Sequence, residues 1–312
     1  MGREAVTTVY LDSSFDDRGR LERLYGGDIF VHRASPASVA LADFAMELIA
    51  EAFAPYAPRE AQFHMPVEEW VRRFAPVKPL FIHHERTRKI MEQLVRELGC
   101  DLSDTYLDVP RLRGVTSDGY LTAGVGYAHH PHRDTWYSAP MSQINWWLPL
   151  HELVTEASMG FYHPYFSQGI LNGSAGFDYY EWNAVGRKDA AQHVASDTRK
   201  QPKAEEDLDL DNEARYIPER AGVLAFSAAQ LHATVPNTSG LARFSIDFRT
   251  VSRADVLAGR GAPNVDSRST GTSLRDFVAV ANGTRFSEDE IAPFETRSHH
   301  TDGVLMFAPE GS

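Results

Sequence analysis

Between residues 35 and 55 the apolar positions Val39, Phe44, Leu48 and Ile49 fall on one helical stripe. They follow a serine suited to cap a helix, Ser35, and a proline suited to its first turn, Pro36. The pattern predicts a helix that stops near Pro55. A second stripe, Ile90, Leu94 and Leu98 at intervals of four, predicts a helix over 85–98, with Gly99 placed to close it. From Asp104 the texture changes to short β-rich runs separated by Gly, Pro and Asp: TYLDV, YLTAGVGYA, SQINWWLPL, GVLAFS, LHATV and RFSIDFRTV. These predict a mostly β protein in which a helical N-terminal third supports an all-β core.

The run beginning at Arg243 alternates most sharply. Phe244, Ile246 and Phe248 point one way, and Arg243, Ser245, Asp247 and Arg249 point the other. A strand in the middle of a β core buries both faces, and a buried arginine is costly unless an anion meets it. Asp247 is one structural partner, and a solvated outer face is the other simple explanation, so alternation alone leaves the choice open. Between the third and fourth β runs lies a long polar stretch, 173–220, with EEDLDLDNE at 205–213. It reads either as a solvated acidic loop or as a lid over a site.

Composition then narrows the function classes. The chain has 312 residues, 43% of them hydrophobic and 24% charged, which is ordinary for a globular protein and excludes disordered, collagenous or coiled-coil proteins. A net charge of -12 argues against a nucleic-acid or anionic-membrane surface, since both need a concentrated basic face, and leaves small molecules as the expected partners. The single cysteine, Cys100, allows no internal disulfide. With no signal-peptide pattern at the start and no run long enough to span a bilayer, the expected location is cytoplasmic, and the sequons at Asn172, Asn237 and Asn282 are read as chance.

Thirteen histidines beside one cysteine make imidazole and carboxylate the available metal chemistry. In AHHPHRDTWYSAP, His132 and Asp134 stand two apart, so an extended chain would send both side chains off one face, where they can grip one ion. With 43 acidic residues in the chain such pairs also arise by chance. Support comes from His232, inside LHATV and 98 positions after Asp134, and from Arg243, eleven positions further.

His132-x-Asp134, His232 and Arg243-x-Ser245, with the surrounding text GVLAFSAAQLHATVPNTSGLARFSIDF, resemble the iron(II)- and 2-oxoglutarate-dependent oxygenases, and most closely their phytanoyl-CoA dioxygenase-like branch. The match runs over roughly residues 120–250; HRDTWY and NWWLP depart from the branch's commoner wording. The resemblance implies a double-stranded β-helix, or jelly roll, with the metal at its open mouth. It implies one catalytic domain over 1–312: helical support at 1–103, a jelly-roll core at 104–251 carrying the 173–220 insertion, and an extension at 252–312. His132, Asp134 and His232 would be the catalytic facial triad holding Fe(II), leaving three of six positions for co-substrate and molecular oxygen. Arg243 would bind the distal carboxylate of 2-oxoglutarate as a fork, with Ser245 or Thr234 adding a hydrogen bond.

The activity so implied is oxidation of an unactivated C–H bond in a small molecule of specialised metabolism, ending in hydroxylation, desaturation or ring closure such as cyclopropanation. Gln143 and Asn145 share a strand face with Trp147, where their amides would orient the oxo acid or a metal ligand, or simply bond within the strand. His129 and His130 are expected at the rim, and His163, His299 and His300 outside the chemistry. Tyr127, Trp136 and Tyr137 are candidate pocket walls, or plain core. Arg249, Arg111 and Arg113 are surplus cations that suggest a carboxylate-bearing substrate such as an amino acid, unless Asp247 or Asp108 pairs with them. Two rival readings remain: a jelly-roll metalloenzyme that does not use 2-oxoglutarate, which would leave Arg243 without a partner, and a non-catalytic ligand-binding barrel.

Overall fold

The protein is described here by a computed structural model covering residues 7–122, 130–186, 201–295, 300–301 and 304–305. A short strand β1 (Val9–Leu11) and helix α1 (Asp17–Tyr25) lead into β2 (Ile29–His32), followed by four helices: α2 (Pro36–Phe53), α3 (Val67–Phe74), α4 (Val77–His83) and α5 (Glu85–Glu97). Helix α2 begins as its sequence predicts. The Ser35 hydroxyl accepts from the Ser38 backbone N–H, and the Ser38 hydroxyl accepts in return from the Ser35 N–H at 2.8 Å. Its buried face is led by Ala37, Leu41, Phe44, Ile49 and Phe53, with Val39 and Leu48 half-buried at the margin. Helix α5 ends at Glu97 with Leu98 as its cap, and Gly99 takes φ +71°, where a side chain would be strained.

The β region supplies β3 (Thr105–Leu107), β4 (Arg111–Val115), β5 (Ile144–Pro149), β6 (Met159–Phe161), β7 (Ala214–Arg215), β8 (Val223–Ser227), β9 (His232–Thr234), β10 (Arg243–Ser252) and β11 (Val278–Ala279). An eight-stranded sheet has the order β1-β2-β8-β5-β10-β3-β11, with β4 pairing β10 beside β3. A second sheet of three strands has the order β7-β6-β9. Strand β10 organises the large sheet: its whole length pairs antiparallel, Ser245–Thr250 with β5 and Arg243–Asp247 with β4.

The alternation read from β10 is what divides the molecule. Phe244, Ile246 and Phe248 are fully buried on one face with Trp146, Leu148 and Leu112, in a core shared with Leu41, Phe53, Trp70 and Phe74 of the helices. Gly114 makes this approach possible, because a Cβ there would lie 2.9 Å from the Phe74 ring. On the other face, Trp147, Leu224 and Phe226 pack with Met159 and Phe161 of the small sheet. Helices, large sheet and small sheet therefore form three layers, and the charged face of β10 looks into the space between the sheets.

Two expectations need correction. The N-terminal third is not purely helical, because β1 and β2 extend the large sheet through pairing of β2 with β8. The sequence signal was a Gly26-Gly27 break before the three apolar residues Ile29, Phe30 and Val31, too short a run for periodicity to separate strand from helix. The segment after residue 251 is likewise knitted into the sheet, β11 pairing with β3. Of the predicted run YLTAGVGYA, residues 123–128 lie outside the described residues; His299 does too, while His300 sits in a two-residue ladder with Leu305.

Candidate metal centre

The two sheets bring His132 and His232 together through their backbones. Each donates its N–H to the other's carbonyl at 3.0 Å, a single bridge that sets the imidazoles side by side with ring centroids 4.5 Å apart. The chain stays extended only through Arg133; Asp134 then opens a short 3₁₀ turn, Asp134–Tyr137, which folds its carboxylate back toward the rings. Asp134 Oδ1 lies 3.5 Å from His132 Nε2 and 4.0 Å from His232 Nε2. The three residues form a buried candidate metal site, one ligand atom from each lying within 4.8 Å of the others.

Their chemistry fits a divalent ion. His132 Nδ1 is hydrogen-bonded to the His130 carbonyl at 2.8 Å, and His232 Nδ1 to the Gln230 carbonyl at 3.0 Å. A carbonyl accepts only, so each Nδ1 carries a proton and is turned away from the site, leaving each Nε2 facing Asp134. Burial, helped by the neighbouring His132, pushes the His232 imidazole down to about 4, so it is neutral at physiological pH. For Asp134, burial works to raise the carboxyl, but the His132 hydrogen bond and the Arg249 charge override it and hold it well below the usual carboxylate range. Two imidazole nitrogens and one carboxylate oxygen are thus turned toward one point.

This triangle opens on a cavity of about 760 Å³. The cavity is lined by the charged face of β10 (Arg243, Ser245, Asp247, Arg249), by Arg111 and Arg113 of β4, by Gln143, Asn145 and Trp147 of the β5 region, and by Thr234. Gln143 donates to Asn145 Oδ1 at 2.9 Å and to Asp134 Oδ2 at 3.3 Å, so this amide pair supports the carboxylate ligand. Arg243 is 2% exposed and lies over the Trp147 ring at 5.5 Å, yet among the described residues its Nε and Nη1 have no hydrogen-bond partner, nor has the hydroxyl of nearby Ser245. Burial and the Arg113 cation, opposed by Asp247, push the Arg243 guanidinium down to about 10.

The other arginines are not surplus. Arg111 pairs with Asp108, Arg113 reaches Asp247 with two nitrogens at 2.5 and 3.2 Å, and Arg249 lies within 3.7 Å of Asp108, Asp134 and Asp247. Of the two readings left open for these cations, the structure shows the pairing with Asp108 and Asp247. Of its two readings Trp136 takes that of plain core: it is wholly buried among Tyr162, Tyr165 and Leu231, and its indole N–H donates to Asp266 at 2.8 Å. Tyr137 does line the cavity. Tyr127 and His129 lie outside the described residues, and His130 is turned to the Pro202 carbonyl. His163 is bonded to the Tyr216 hydroxyl, away from the metal ligands. From the 173–220 segment, Phe177, Tyr179, Trp182 and Gln201 supply cavity wall, while residues 187–200 fall outside the described residues.

Sequence reasoning passed over Arg133, which sits between the two ligands of the H-x-D pair. It is fully buried and donates to the carbonyls of Ala229, Tyr165 and Gln168 and to the Asp266 carboxylate at 3.0 Å. Asp266 also accepts from Trp136 and from the Ile170 backbone N–H. One arginine thereby fastens the ligand-bearing turn to the stretch before His232 and to the C-terminal segment. No local sequence signal announces this, since Asp266 is 133 positions away.

No family model matches the chain, and no curated protein matches it. Among solved structures, EvdO2 from Micromonospora carbonacea var. aurantiaca complexed with 2-oxoglutarate is similar at 14% identity and a TM-score of 0.42, covering 77% of this chain and 92% of that one. The non-heme alpha ketoglutarate dependent epimerase SnoN from nogalamycin biosynthesis gives 16% identity and a TM-score of 0.40 over 85% of this chain and 99% of that one. The non-heme monooxygenase ThoJ gives 13% and 0.35 over 71% and 72%.

Proposed function

We propose that the protein is an Fe(II)- and 2-oxoglutarate-dependent oxygenase acting on a small molecule, with the two facing sheets as a jelly-roll core. One observation carries the reading: a fully buried arginine with two unpartnered nitrogens shares a cavity with a His-Asp-His metal site. Leaving a buried guanidinium unpaired costs several kcal/mol, and a bound dicarboxylate answers it. The rival without 2-oxoglutarate leaves Arg243 unexplained. The non-catalytic rival leaves unexplained why two histidines have their Nδ1 atoms fixed on backbone carbonyls and their Nε2 atoms turned to one carboxylate.

His132, Asp134 and His232 would hold the iron, which when bound with 2-oxoglutarate and oxygen supplies oxidation of an unactivated C–H bond coupled to decarboxylation of the oxo acid. Arg243 would take the distal carboxylate as a fork, and the unpartnered Ser245 hydroxyl would donate to the same group. Thr234 lines the same space. Gln143 and Asn145 orient Asp134 from behind.

For the substrate, the paired arginines weaken the carboxylate reading. A free acid would have to take a guanidinium from an aspartate that already holds it, whereas hydroxyl or carbonyl groups can bond to the outward edges of those pairs as they stand. With Tyr137, Phe177, Tyr179 and Trp182 supplying aromatic wall, a neutral ring-bearing molecule with polar groups fits this cavity better than an amino acid. Hydroxylation, desaturation and ring closure remain alternative outcomes on the same site.

Anaerobic addition of Fe(II) and then 2-oxoglutarate tests the class: a visible metal-to-ligand charge-transfer band is expected. It should disappear in His232→Ala, and Arg243→Lys should need at least about thirtyfold more 2-oxoglutarate, the equivalent of about 2 kcal/mol. Absence of the band in wild-type protein that has bound iron would overturn the proposal. Succinate release triggered by neutral ring compounds, but not by amino acids, would support the substrate reading; the reverse order would restore the carboxylate.

A further inference from the structure

Asp134 offers its two oxygens to different neighbours. Oδ1 is the atom facing both histidine Nε2 atoms, at 3.5 and 4.0 Å. Oδ2 faces Gln143 Nε2 at 3.3 Å and Arg249 Nε at 3.7 Å. Arg249 is held just as specifically, because its three nitrogens meet three different carboxylates: Nε with Asp134, Nη1 with Asp108 at 3.6 Å and Nη2 with Asp247 at 3.2 Å. Asp108 is itself fastened to the Arg249 backbone, accepting its N–H at 2.9 Å and donating to its carbonyl at 3.1 Å. Asp247 is fixed by two nitrogens of Arg113. All four side chains of the pairing around Arg249 are at most 17% exposed, so solvent screens these charges weakly.

We infer that Arg249 is a positioning residue for Asp134, engaging Oδ2 so that only Oδ1 is presented to the metal. The inference rests on the reading of His132, Asp134 and His232 as metal ligands. Three ligand atoms leave three of six positions open; a carboxylate binding through both oxygens would take a fourth and crowd out a two-atom oxo acid plus oxygen. A planar fork suits this task, since an ammonium is one compact charge and cannot face three carboxylates in three fixed directions. This gives Arg249 a role on the ligand side of the cavity, where the sequence had suggested a clamp for substrate.

Co(II) is the probe, read by affinity and by its ligand-field spectrum, with circular dichroism to show that each variant is folded. Arg249→Gln is expected to lower Co(II) affinity on the order of tenfold or more and to alter the spectrum, with Arg249→Lys failing to restore either. In wild-type protein, the infrared difference between Co(II)-loaded and metal-free forms should show the wide carboxylate splitting of one-oxygen binding, a reading that needs no variant to fold. Both variants matching wild type in affinity and spectrum, or a narrow two-oxygen splitting in wild type, would overturn the inference. A wild type that takes up no Co(II) overturns the metal-site reading itself.

Discussion

Replacing Arg243 with methionine should make the protein more stable without co-substrate and less stable with it. In the structure the guanidinium is pushed down to about 10, so its charged form costs about 3 kcal/mol at neutral pH relative to the same group in water. Methionine fills a similar length of pocket without a charge. It loses the contact with the Trp147 ring, worth about 1 to 2 kcal/mol, leaving a net gain of about 1 to 2 kcal/mol. In a chain of this size that raises the melting temperature by about 2 to 6 °C. Saturation reverses the order: with metal present and 2-oxoglutarate at about a hundredfold its dissociation constant, wild type gains about 2.7 kcal/mol and the variant gains none. Thermal shift under nitrogen, with a redox-inert divalent metal, measures all four states. A variant that melts below wild type without 2-oxoglutarate, or that rises as much as wild type on its addition, refutes the reasoning.

Asp266→Ala should cost about 3 kcal/mol in urea unfolding, because Arg133 and the Trp136 indole lose their shared acceptor, and it should weaken metal binding although Asp266 touches no metal ligand. Unchanged metal affinity in that variant would show that the turn holds itself. His130→Ala should leave metal content near wild type, since that ring is engaged with the Pro202 carbonyl; loss of metal would make His130 a ligand. Burial pushes His32 and His151 down to about 4, so the stability their neutral forms contribute is complete above pH 6.5 and is lost as pH falls from 6.5 through 4. His151 accepts the Phe244 N–H through Nε2, so protonation also breaks a bond to β10; metal-free urea titrations should lose about 3 kcal/mol per histidine across that window, and a flat profile would contradict the burial argument.

The sequence by itself determined the features that repeat over short distances. The cap of α2, the Gly99 closure and the two-faced β10 all follow from spacing, because period and capping are local properties of the chain. The H-x-D pair was readable for the same reason, and His232 in its short β run offered support, while the resemblance was needed to join the three as one ligand set. Tertiary structure alone decided everything that depends on charges distant in sequence. For Arg111, Arg113 and Arg249 the sequence left open a substrate clamp or pairing with Asp247 and Asp108, and the pairing of β10 with β4, with Asp108 bonded to the Arg249 backbone, decided for the aspartates. Arg133 looked like a spacer until the fold carried Asp266 to it. Burial is what separates the two kinds of information: a hydrophobic stripe needs only an inside, whereas a buried charge needs one particular partner, and only the closed sheets say which arginine has none.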